Sequence, residues 1–138
     1  MKDVVNNYYD EIKNELINNE VYKKVKDYSK NRNELSTYYN VGKLLSEAGK
    51  HYGNGIIKDY SIRLTRELGR GYSKRNLWLM LKFFEVKEKV QTVSAELSWS
   101  HYVELLSFND INEINYYINT TEKYNLSVRE LREKIKSN

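Results

Sequence analysis

Apolar residues recur along this chain at spacings of three and four, and no segment alternates convincingly, so the pattern predicts helices and no strand. A first helix is expected over Asp3–Asn18, with Val4, Val5, Tyr8, Ile12 and Leu16 on one stripe and Asn18-Asn19 as its break. A second is expected from Val21 to Ala48, where Val21, Val25, Tyr28, Leu35, Tyr39 and Gly42 approach a heptad seam on which Arg32 also falls. Gly42 inside a helix costs about 1 kcal/mol relative to Ala, which close approach of another helix would offset. His51 to Gly55 reads as a turn. A third helix, Ile56–Leu68, should bury Ile57, Tyr60, Leu64 and Leu68 and end at Gly69. A fourth should start at Ser73, carry Leu77, Met80, Leu81 and Phe84 inward with Trp78 on a flank, and end between Glu88 and Gln91.

After a polar link, Thr92–Leu97, Ser98 or Ser100 should cap a short fifth helix holding Tyr102, Val103, Leu105 and Leu106. Asp110 should cap a sixth with Ile111, Ile114, Tyr117 and Ile118 inside. Ser127 with Glu130 forms a capping box for a last helix bearing Val128, Leu131 and Ile135. The expected fold class is a compact all-α domain of six to seven helices occupying residues 1–138.

The segment Ile56–Phe84 changes this picture, because it reads as helix, short Gly-Arg-Gly-Tyr break, helix. That is the layout of a helix-turn-helix; the alternative is an αα-corner with a solvated polar end. Charge favours the first. Residues 50–91 hold ten Lys/Arg against four acids, residues 1–49 hold eight against eight, and residues 92–138 hold five against seven. The excess of basic charge therefore sits on the helix-turn-helix candidate. Lys74 and Arg75 would meet phosphate or guanine, Asn76 could read adenine, and the helix N-terminus opened by Ser73 adds a dipole favourable to phosphate. Arg63, Arg66 and Arg70 would clamp the backbone. Tyr72 could touch phosphate through its hydroxyl, or plug the space between the two helices.

Other chemistry finds little support. With no Cys and two His there is no disulfide framework, thiol nucleophile or Cys/His metal site. The acids are scattered along helix faces and do not converge as Mg²⁺ ligands. Ser100 and His101 are sequence neighbours, which does not make a nucleophile and base, and His101 reads as structural. Gly53, Gly55, Gly69 and Gly71 lack the Lys-Ser/Thr of a phosphate loop. Most of the thirteen tyrosines lie on the core stripes rather than on a base-stacking face. The expectation is a protein with no catalytic residue, no metal and no cofactor, hence not an enzyme. No signal peptide or membrane span is expected, which points to the cytoplasm.

Several segments resemble the N-terminal domain of YhcG-type proteins, a bacterial and mobile-element family in which a helical domain precedes a PD-(D/E)XK nuclease-like domain. They are Tyr38-Tyr39-x-Val41-Gly42-Lys43, Tyr52-Gly53, Tyr60-Ser61-x-x-Leu64 and Leu68-Gly69-x-Gly71-Tyr72-Ser73-x-Arg75-Asn76-Leu77-x-x-Met80. They continue with Leu97-Ser98-Trp99-Ser100-His101-Tyr102-x-x-Leu105-Leu106, Tyr116-Tyr117 and Ser127-Val128-Arg129-Glu130-Leu131. The resemblance implies a DNA-associated module of a nuclease or mobile-element protein, with the nuclease-like half absent from this chain. The leading expectation is thus a non-catalytic module that binds duplex DNA. The alternative is a protein-interaction module, either a homodimer through the Val21–Gly42 seam or Tyr-rich faces, or a mobile-element inhibitor of a host nuclease or defence complex.

Overall fold

The computed structural model describes residues 4–24, 30–90 and 97–137. Among these it holds seven helices and no strand: α1 (Val4–Lys24), α2 (Lys30–Tyr52), α3 (Gly55–Leu68), α4 (Lys74–Lys89), α5 (Trp99–Leu105), α6 (Ile111–Tyr124) and α7 (Val128–Ser137). The all-α class read from the spacing is the one observed. Among the described residues no helix is long and apolar enough to cross a membrane. The chain divides into two compact units, Met1–Phe84 and Glu85–Asn138, with the division falling inside α4.

In the first unit α1 and α2 make the most extensive helix pair. Helix α1 does not break at Asn18-Asn19. It runs six residues further, and its buried stripe is Tyr9, Ile12, Leu16 and Asn19. Tyr9 rather than Tyr8 faces the core, 5.4 Å from the ring of Tyr60 on α3. The expected helix from Val21 to Ala48 is likewise divided between two: Val21 lies exposed on α1, whereas Leu35, Tyr38, Val41, Leu45 and Ala48 form the buried face of α2. Val25 and Tyr28 fall outside the described residues, as does the Arg32 side chain. Gly42 meets α4 directly: a Cβ there would lie 2.7 Å from Phe84 Cβ and 2.9 Å from the Met80 carbonyl carbon, and nearer still to the Met80 oxygen. Helix α4 turns Leu77, Leu79, Met80 and Phe83 inward, so Leu79 and Phe83 take the places expected for Leu81 and Phe84, which are only half-buried.

The second unit is built on caps. Ser98 Oγ accepts the His101 N–H, and His101 Nδ1 accepts the Ser98 N–H at 3.0 Å, closing a box at the start of α5. With Nδ1 an acceptor, the His101 Nε2–H donates to the Leu126 carbonyl at 2.8 Å. This histidine is structural: it ties α5 to the α6–α7 connection. Asp110 accepts the Asn112 N–H, and Ser127 and Glu130 form the expected reciprocal pair, each oxygen accepting the other residue's N–H. Ile114, Tyr117, Ile118 and Leu131 fill the space between.

Four buried tyrosines bear on pH stability. Burial, aided by neighbouring carboxylates, raises the phenols of Tyr9 and Tyr38 well above their ordinary value and those of Tyr72 and Tyr102 to about 12. Unfolded tyrosine ionises near 10. The folded phenol is the stronger holder of its proton, so its contribution is complete below pH ~10 and lost as pH climbs through ~12. Helix content by circular dichroism should therefore fall across that window, together with the rise in phenolate absorbance. Retention of full helicity after all four phenols ionise would contradict the packing described.

Candidate nucleic-acid interface

The α3–α4 connection is Gly69 to Ser73. Gly69 (φ 99°) and Gly71 (φ 110°) occupy backbone conformations that L side chains rarely adopt, which explains two glycines in five residues. Gly69 N–H donates to the Thr65 carbonyl and closes α3. Ser61 Oγ donates to the Tyr72 carbonyl at 2.8 Å, fastening the turn to α3. Ser73 caps α4, its Oγ accepting the Asn76 N–H at 3.1 Å.

The eight residues singled out by sequence divide into two groups. Tyr72 is drawn inward: it is 6% exposed and its hydroxyl donates to Glu20 of α1 at 3.3 Å, the geometry of a plug. Arg63 lies against α1, its guanidinium 3.7 Å from the centroid of the Tyr9 ring. Asn76 donates from Nδ2 to the Gly71 carbonyl at 3.1 Å and so braces the turn. By contrast Arg66, Arg70, Ser73, Lys74 and Arg75 are exposed. None of the cations Arg66, Arg70, Lys74 and Arg75 has an ion-pair partner among the described residues.

The acids nearest in sequence leave that charge uncompensated. Glu67 accepts the Tyr9 hydroxyl and Lys13, and these bonds hold its carboxyl below the usual range. Its charge is committed to α1. Glu20 accepts Tyr72 and pairs with Lys23, while the first turn of α4 contains no acid. The helix dipole and two outward cations thus coincide at the start of α4. Beside the turn lies an open recess of about 370 Å³, lined by Ile17, Glu20, Val21, Leu68, Arg70 and Tyr72.

Trp78 belongs with the outward group, although its sequence neighbours suggested only a flank. It is 45% exposed, four residues after Lys74 and three after Arg75, and Lys82 Nζ stands 5.9 Å from its ring centroid. The available signal was its spacing from those cations, masked by the apolar run Leu77–Leu81.

Tyr72→Phe keeps the plug and removes one hydrogen bond, so it should cost about 1 kcal/mol. Tyr72→Ala should cost about 3–5 kcal/mol, the range for truncating a large buried aromatic. Urea denaturation checks both, and equal effects would mean that the ring, as placed, fills nothing.

A sequence profile described as the DUF1016 N-terminal domain matches residues 11–138, a span that contains every segment carrying the YhcG-type resemblance. No curated protein and no solved structure matches the chain.

Proposed function

Because the chain belongs to the DUF1016 N-terminal domain family and presents outward cations at the mouth of α4, we propose that it is a non-catalytic module that binds duplex DNA. The observation that carries this reading is the exposure of Lys74 and Arg75 at a helix N-terminus whose first turn has no acid. Arg70, four residues earlier in the turn, and Arg66 on α3 extend the basic surface and are likewise exposed. In this reading Ser73, Asn76 and Tyr72 hold α4 at its angle to the turn, and the cations engage phosphates. α3 and α4 then act as a helix-turn-helix, with α4 the helix that enters the groove. In keeping with the YhcG-type resemblance, the module would target a nuclease or mobile-element protein to its substrate.

Fluorescence anisotropy with random-sequence duplex, single strand and RNA at two salt concentrations tests the proposal. Duplex should bind most tightly, with affinity falling steeply as salt rises. Absence of duplex binding at low salt would reject it.

Protein docking remains the second reading, favoured by Tyr116 and Tyr124, which stand 50% and 63% exposed on α6. Of the Val21–Gly42 seam, Leu35 and Gly42 are buried inside the first unit, whereas Val21 is exposed. A concentration-dependent mass in light scattering, abolished by Tyr116→Ser/Tyr124→Ser, would favour docking.

A further inference from the structure

Trp78 is the one large apolar side chain of α4 left substantially in solvent, while Leu77, Leu79 and Met80 around it are buried. On a helix of 3.6 residues per turn, positions 74, 75, 78 and 82 fall within an arc of about 100°. Over its first nine residues, Lys74 to Lys82, the outward face of α4 is therefore a stripe of cation, indole and cation, with Lys74 and Arg75 before the ring and Lys82 after it; the exposed Glu85 follows on the same arc. At a rise of 1.5 Å per residue the stripe from Lys74 to Lys82 is about 12 Å long. That length matches the roughly 12 Å width of a B-DNA major groove. Phosphates line both edges of such a groove, and apolar thymine methyl groups project into it. Cations at both ends and an apolar ring in the middle are complementary to that arrangement.

We propose that Trp78 is a base-contacting residue of α4, packing its indole against thymine methyl groups in the major groove while Lys74, Arg75 and Lys82 hold flanking phosphates. The proposal rests on the duplex-binding reading and adds a preference to it. The ring supplies apolar contact but no charge, so it contributes discrimination among bases without contributing to the salt dependence. Lys82, whose Nζ stands 5.9 Å from the ring centroid in the free protein, turns to phosphate in the complex.

The test uses the whole chain and its Trp78→Ala variant, titrated with a random-sequence duplex and with the same duplex carrying uracil for every thymine. Wild type should bind the thymine duplex about tenfold more tightly than Trp78→Ala does, the scale of one good base contact, with an unchanged salt slope. Replacing thymine by uracil should weaken wild type several-fold and leave Trp78→Ala unaffected. In a Trp99→Phe background the remaining indole should change its emission on adding duplex. Circular dichroism establishes that the exposed substitution preserves the helices. If wild type binds the two duplexes equally, or Trp78→Ala binds as well as wild type, the assignment of Trp78 is overturned while duplex binding stands. If Trp78→Ala loses affinity only with a shallower salt slope, the ring merely positions Lys82, and the base contact is again overturned. If wild type binds no duplex, both readings fall together.

Discussion

Gly42→Ala is expected to destabilise the protein by about 3 kcal/mol or more, the upper part of the range for overpacking a filled interior. In a domain of this size that lowers the thermal midpoint by about 10 °C. The reason is the identity of the atoms in the way. An added Cβ would come within 2.9 Å of the Met80 carbonyl carbon and 2.7 Å of Phe84 Cβ. Neither is the end of a flexible side chain, so relief requires α2 and α4 to move apart. The prediction is sharp in sign. In a helix free of such contact, Gly→Ala stabilises by about 1 kcal/mol because alanine is the better helix former. A calorimetric midpoint equal to or above wild type would show that α2 and α4 do not approach as described. Val41 and Leu45 flank the glycine on the buried side of α2, so a shift of the helix would also disturb the packing of these two buried side chains.

That glycine illustrates what the sequence could disclose. A glycine in a strong helical pattern demands a close neighbour, and the neighbour exists; its identity, α4, lies some forty residues away and leaves no local trace. The caps were legible for the opposite reason. Ser73, Asp110 and Ser127 each act on an N–H two or three residues ahead, so type and spacing suffice; at α5 they leave Ser98 and Ser100 both open, and Ser98 is the cap observed. The end of α1 was misread because Asn18-Asn19 resembles a break. Asn19 is instead 2% exposed within the helix, in phase with the buried Tyr9, Ile12 and Leu16. In α4 the run Leu77–Phe84 is apolar at seven of eight positions. Periodicity then cannot say which side is inner; Leu79 and Phe83 are the buried pair, while Phe84, half-buried, packs against Gly42 and Tyr39 of α2. The candidate interface shows the same division. That Lys74 and Arg75 point outward follows from the first turn of one helix. That Tyr72 and Arg63 turn inward depends on Glu20 and Tyr9, more than fifty residues away in sequence.

Removing the two outward charges, as Lys74→Ala/Arg75→Ala, should reduce duplex affinity on the order of 100-fold at 50 mM salt and about tenfold less than that at 200 mM. The arithmetic is that of counterion release. Each phosphate neutralised contributes about 0.9 to the slope of log affinity against log salt, so losing two lowers the slope by about 2. A fourfold rise in salt then narrows the gap between wild type and variant by roughly tenfold. Asn76 is kept in this variant because its amide braces the Gly71 carbonyl, and replacing it would confuse loss of binding with loss of the turn. Ser73 is kept because its hydroxyl caps α4. Alanine is the strongest helix former, so α4 itself should persist. The salt slope is what separates the explanations. A defect of the same size at both salt concentrations would mean that the two side chains act on bases or on the fold rather than on phosphate. An unchanged affinity in a folded variant would remove the mouth of α4 from the interface altogether, and the basic excess of residues 50–91 would then be a solvated surface.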